Sequence, residues 1–289
     1  MRLLRFFAED GTVRLGRREG EWVEDLGPRS PIALMSGSMP EPAGPRRPYA
    51  GLRLDAPIRD CPKLLALAGN YRKHILEAGF ADVAGEIITP QVFWKPSTTI
   101  NAPGGAVPIR ANNVFVDWEI ELAVIVGRRA KDVSAARAMD AVFGYSIVND
   151  ISERKFNANI PGRKLREYDT FFDWLMGKWF DGYAPLGPEI VTRDEVADPH
   201  NLAIRLSLNG EVMQDGNTRQ MIFGVPETIA YISRVVTLEP GDLIAMGTPE
   251  GIGMARGIRL QPGDRLRGEI EGLGALESVV VEEESSWNE

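Results

Sequence analysis

Residues 116–127 read VDWEIELAVIVG. On a β-strand successive side chains point to opposite faces. Val116, Trp118, Ile120, Leu122, Val124 and Val126 then share one apolar face. Asp117, Glu119, Glu121 and Ala123 share the other, with three carboxylates in a row at roughly 7 Å spacing. Charged side chains on an arbitrary strand most often face water. Here the polar positions are confined to one end, because Ala123 and Ile125 bring no further polar residue before Gly127. Like charges so arranged repel unless protons or a cation intervene. An all-oxygen set suits a hard divalent ion, Mg2+ first, with Mn2+ or Ca2+ possible.

A second stretch, FGYSIVNDISER (143–154), reads as an apolar strand that runs out at Asn149 and Asp150. Asp150 is a further candidate ligand, although a carboxylate in that place, taken alone, reads as an N-cap. Around these two segments the pattern is mostly β. Lys63–Ala68, Ala141–Val148, Leu202–Leu208 and Asp242–Met246 read as strands, and Asp264–Glu282 as two runs around a Glu271–Gly274 hairpin signal. Tyr71–Ala78 reads as a short helix with Asn70 as N-cap and Gly79 past its end; Ala135–Ala141 and Pro226–Val235 also read as helices. Strands outnumber helices without alternating with them, which predicts a β-rich α+β fold.

Residues 1 to about 26 read as a β-meander of Leu3–Phe7, Thr12–Leu15 and Glu21–Val23, with turns at Asp10-Gly11 and Glu19-Gly20. From Gly27 to Pro62 the chain carries eight of its 20 prolines. Proline fixes φ and removes a donor, so this is a linker reading. The division expected is a small N-terminal β domain with its Pro-rich linker over 1–60 and a catalytic domain over 61–289. The tail EEESSWNE is expected to fray.

The 289 residues are 44% apolar and 26% charged, enough for a sizeable core. A net charge of −8 argues against general nucleic-acid binding, which needs a basic surface. No run approaches the ~20 apolar residues of a membrane span, and MRLLRFFAEDGT reads as a strand rather than a signal peptide. A single cysteine, Cys61, excludes an intrachain disulfide and a CxxC site. A cytoplasmic compartment is expected, with no nucleic-acid and no membrane partner.

Six blocks in order resemble the fumarylacetoacetate hydrolase family. They are GNYRKHILEAG (69–79), FWKPSTTINAPGG (93–105), VDWEIELAVIVG, GYSIVNDISER (144–154), GKWFDGYAPLGP (177–188) and PGDLIAMGTPEGIG (240–253). Each is weak alone; together they span roughly Leu64 to Val281. The resemblance implies a mixed β-roll or sandwich, a homodimer, and a metal held by Glu119, Glu121 and Asp150. The largest members carry another aspartate seven residues before the histidine; here that position is Leu67. Asn157 stands where the family has glutamine, and the 158–176 segment is longer and more basic than usual.

The family's substrates are small acids with a 2-oxo or 1,3-dicarbonyl group. In that frame His74, three residues before Glu77, is the candidate base, with the carboxylate raising its basicity. Lys178 is expected to aim its charge at an oxyanion. Arg154 is expected to bind a substrate carboxylate or to pair with Asp150. Thr248 is expected to bind carboxylate through its hydroxyl and loop amides. Tyr71, Asn157 and Asp181 complete the substrate-binding set, and Lys95 and Arg72 are weaker candidates. The activity implied is hydrolysis of a C–C bond in a 2,4-dioxo acid, an acylpyruvate or a diketo-deoxy sugar acid, giving pyruvate and a second acid. Oxaloacetate decarboxylation, isomerisation, or hydration and dehydration could run on the same site. The reading from another class is a non-catalytic module binding metal or organic acid.

Overall fold

The computed structural model describes residues 1–283. The last six residues of the expected frayed tail lie outside the described residues. Strand Ile120–Val126 is buried at every position and sits inside a twelve-stranded mixed sheet. It pairs antiparallel with Val142–Asn149 on one side, from Ile120 opposite Asn149 to Val126 opposite Val142. On the other side it pairs with Leu243–Ala245. That strand runs parallel to Leu64–Ala68, and Gln91–Lys95 closes this edge. In the other direction Val142–Asn149 pairs with Ala184–Thr192, which pairs with Arg2–Phe7, the first strand of the N-terminal meander. The meander therefore continues the same sheet, through Val13–Glu19 and Trp22–Gly27.

A five-stranded sheet covers one face, in the order Glu211–Asn217, Ala203–Leu208, Arg265–Ile270, Gly274–Glu283, Ala106–Arg110. Between the sheets lies the larger core. Trp118, Ile120, Leu122, Val124 and Val126 meet Ile204, Leu206, Leu266, Ile270 and Leu276 there. This is the apolar face that the alternation predicts. Ala123 and Ile125 turn the opposite way, into a second core with Leu64, Ala66, Ala184, Leu243 and Ala245. Both faces of the central strand are thus covered, as the layered packing of sheets requires. Among the described residues helices are few, the longest being Val225–Val235. Among the described residues no helix is long and apolar enough to cross a membrane.

Two sequence expectations need correction. Val116–Val126 is not one strand: Val116–Asp117 pairs with Ser152–Glu153 in a separate ribbon, and the sheet strand starts at Ile120. The break falls at Trp118, fully buried, whose indole N–H donates to Gly251 O at 3.2 Å. Asn70 does not cap the helix Arg72–Glu77; Tyr71 occupies the N-cap without a side-chain bond. The Asn70 amide instead ties two remote segments, donating to Phe223 O and Met246 O at 3.1 and 2.7 Å and accepting from Phe223 N–H at 2.8 Å. A side chain that can satisfy three backbone groups, one of them fully buried, is worth more there than at a solvated helix end.

Candidate active site

Glu119, Glu121 and Asp150 each place one carboxylate oxygen within 4.8 Å of the others, and all three are buried. The backbone explains the convergence. Glu119 and Glu121 flank Ile120 and so point to the same face. Asp150 follows Asn149, which lies opposite Ile120. The pairing continues past the strand end: Asp150 N–H donates to Glu119 O at 2.8 Å, and Glu119 N–H donates to the Asn149 side chain at 3.0 Å.

Three cations surround this group. Lys178 donates to Glu119 at 2.7 Å, Asp150 at 2.8 Å and the Ser152 hydroxyl at 2.9 Å. Lys95 donates to the other Asp150 oxygen and to Tyr183 O. Arg154 bridges Asp117 and Glu119, each at 2.6 Å. With Asp117 counted, four buried carboxylates face these three cations. Glu121 is the one left over. It accepts Gly247 N–H at 2.6 Å and has no ion-pair partner among the described residues.

The proton equilibria follow from that imbalance. Burial, then the neighbouring charges of Asp150 and Glu119, push Glu121 well above the usual carboxylate range. Burial also opposes the charge of Glu119, but Arg154, Lys178 and His74 together hold its carboxyl below the ordinary value. Burial pushes Asp117 up to about 6 despite Arg154. Burial, with Lys178 nearby, lowers Lys95; for Lys178 the pull of Asp150 and Glu119 outweighs burial and raises it. A buried, repelled, unpaired carboxylate beside two more is the arrangement a divalent cation relieves. The donor set could therefore hold such an ion through Glu119, Glu121 and Asp150.

The helix Arg72–Glu77 buries none of its own residues. His74 Nδ1 lies 3.0 Å from Glu77 Oε1, and His74 Nε2 lies 3.9 Å from Glu119 Oε1. Glu77 is held in turn by Gly251 N–H at 2.7 Å. With Nδ1 carrying the proton toward Glu77, Nε2 presents its lone pair at the edge of the acidic cluster. Tyr71 is buried there too. Its hydroxyl has no hydrogen-bond partner among the described residues, and burial, then Glu121 and Glu250, raises the phenol above its ordinary range.

The other expected site residues are placed differently. Lys178 has all three donors engaged by protein acceptors, so it is a fixed charge between two carboxylates rather than a free oxyanion donor. Arg154 pairs with Asp117 and Glu119, not with Asp150. The Thr248 hydroxyl donates to Ile120 O and accepts from Gln214, both at 2.8 Å, which leaves it no hydrogen for a ligand. Asn157 donates to Asp173 at 2.8 Å, and Asp181 is exposed. Arg72 pairs with Asp82 at the surface. Within the 158–176 segment Arg163 pairs with Asp173 and Arg166 with Asp169. Lys95, a weaker candidate within the 93–105 block, proves as central as Lys178. Gln214 carried no sequence signal, because a lone polar residue on a strand is ordinarily a surface position; Asn70 and Ser152 stood within two of the quoted blocks, Asn70 read as a helix cap and Ser152 without a role.

Residues 63–281 match the family described as fumarylacetoacetate (FAA) hydrolase C-terminal. The mitochondrial oxaloacetate tautomerase fahd2 of Xenopus laevis is 39% identical over 234 residues, 80% of this chain and 69% of that protein. A 2-hydroxyhepta-2,4-diene-1,7-dioate isomerase from Mycobacterium marinum superposes with a TM-score of 0.78 at 34% identity, covering 98% of this chain and 99% of that one. Fumarylacetoacetate hydrolase from psychrophilic Exiguobacterium antarcticum gives 0.80 at 32% identity, covering 98% and 100%.

Proposed function

Because the chain belongs to the fumarylacetoacetate hydrolase family, we propose that it hydrolyses a C–C bond in a 2,4-dioxo acid, giving pyruvate and a second acid. The observation that carries this reading is the ordered His74–Glu77 pair with its free nitrogen 3.9 Å from Glu119. It sets a general base at the rim of a site whose acidic cluster fits a cation. Glu119, Glu121 and Asp150 would hold the ion, with Mg2+ preferred. When bound, such an ion polarises the 2-oxo acid's carbonyl and favours negative charge on its oxygen.

The chain's own residues supply the proton chemistry. His74 Nε2 takes a proton from water, and Glu77 steadies the imidazolium that results. The hydroxide oxygen adds to the distal carbonyl carbon, C4. The C3–C4 bond then breaks, with its electron pair passing to C3 and the 2-oxo group. C4 leaves as the second acid, and C3 takes back the proton from His74. Lys95, Lys178 and Arg154 keep the acidic cluster from repelling an anionic substrate.

A second reading is keto–enol interconversion of a 2-oxo acid, supported by the 39% identity to the oxaloacetate tautomerase. It needs the same base but breaks no C–C bond. The test is incubation with acetylpyruvate and Mg2+, following pyruvate release and enol loss separately. Hydrolysis predicts stoichiometric pyruvate, lost by about 100-fold or more in His74→Ala. Enol loss without pyruvate supports the tautomerase reading, and full hydrolysis by His74→Ala and Glu119→Ala removes the mechanism above.

A further inference from the structure

Ile120 stands between Glu119 and Glu121, so its two peptide groups set the spacing of those carboxylates. On the side facing Leu243–Ala245 the ladder ends early. Its last register pair is Ala123 with Ala245, and Met246 N–H bonds Leu122 O before the chain turns into the 247–252 loop. No strand is left there to bond Ile120. Side chains do it instead. Ile120 N–H donates to Gln214 Oε1 at 3.1 Å, and Ile120 O accepts the Thr248 hydroxyl at 2.8 Å. Gln214 Nε2 donates to Thr248 Oγ1 and Pro249 O, both at 2.8 Å. Gln214 is fully buried and Thr248 nearly so.

The same loop reaches both halves of the site. Gly247 N–H donates to Glu121 at 2.6 Å, and Gly251 N–H donates to Glu77 at 2.7 Å. Its seat on strand Glu211–Asn217 is close: a Cβ on Gly251, at φ +105°, would strike Met213 O. We propose that Gln214, acting with Thr248, is a positioning residue that replaces the missing strand, fixing the Glu119–Glu121 spacing and holding the loop that orients Glu121 and Glu77. A buried carboxamide suits this because one side chain supplies an acceptor and two donors in a rigid plane. Groups that orient ligands in this way typically alter metal affinity by about 10- to 100-fold when removed.

The inference rests on the reading of Glu119, Glu121 and Asp150 as ion ligands. It is tested on the full chain by Mn2+ binding, with free Mn2+ followed by electron paramagnetic resonance well below the melting temperature. Gln214→Leu is expected to bind about 10- to 100-fold more weakly. Thr248→Val should shift binding in the same direction, and Thr248→Ser, which keeps the hydroxyl, should bind as the unaltered chain does. If Gln214→Leu does not fold, the Thr248 pair decides. Should Gln214→Leu and Thr248→Val melt lower yet bind Mn2+ with unchanged affinity, the residues are structural only and the proposal is overturned. An unaltered chain that binds no Mn2+ at all overturns the ligand reading itself, a separate result.

Discussion

Asp25 in the N-terminal meander and Glu121 in the central strand are equally hidden from water, at 2% and 1% exposure. Asp25 is matched one for one: Arg14 Nε lies 2.8 and 2.7 Å from its two oxygens, and Gly27 N–H adds a bond at 2.9 Å. Asp55, nearby, is likewise held by Arg5 and Arg59. In the central sheet four carboxylates share three cations, and Glu121 is left with one amide. A protein that only needed stability would not keep that surplus, since an unpaired buried charge is costly. The meander balances its charges for folding. The central cluster leaves a deficit that a ligand can fill.

This contrast can be broken in several ways. Glu121→Gln should cost activity on the order of 10^3-fold, the several kcal/mol that a bound ion supplies, while the metal-free protein melts no lower. A large loss of metal-free stability in that variant would make Glu121 a structural carboxylate like Asp25. Chelation of the ion from chain held at about 100 times its dissociation constant should remove about 2.7 kcal/mol of stability, read as a lower melting temperature in EDTA. Asp25→Asn should do the reverse of Glu121→Gln: it leaves Arg14 without its charge partner, costing about 2 kcal/mol because Arg14 stays partly solvated, with metal affinity unchanged.

Cys61 is a third kind of buried titratable group, one kept neutral. Burial pushes its thiol up to about 12 from 9.0. The fold favours the protonated form, so its contribution is complete below pH 9.0 and is lost as pH rises toward 12. Near neutral pH this thiol should therefore add no pH dependence to the stability. Native chain at pH 8 should resist iodoacetamide and become reactive only on unfolding; prompt alkylation of the folded chain would contradict its burial.

Much of this was legible locally. The period-2 pattern of 116–127 marks a strand, its core face and its acidic end, because side-chain alternation is a property of the extended backbone itself. The hairpin at 271–274 and the meander turns follow from glycine placement in the same way. The Val116–Val126 break and the true partner of Arg154 were not legible, since both depend on contacts with Gly251, Asp117 and Ser152–Glu153. Asn70 illustrates the same limit: its type suits an N-cap, but tertiary contacts offered it more.

Sequence alone thus determined the β-rich class, the apolar face of strand 120–126 and the run of carboxylates opposite it. The resemblance implied that Glu119, Glu121 and Asp150 meet; only the tertiary structure decided how they are answered, with Lys95 and Lys178 arriving from other segments for two of them and Gln214 and Thr248 bonding the Ile120 peptide between the glutamates. Alternation is written into neighbouring residues, whereas charge balance in a buried site is a sum over segments distant in the chain, set by strand register.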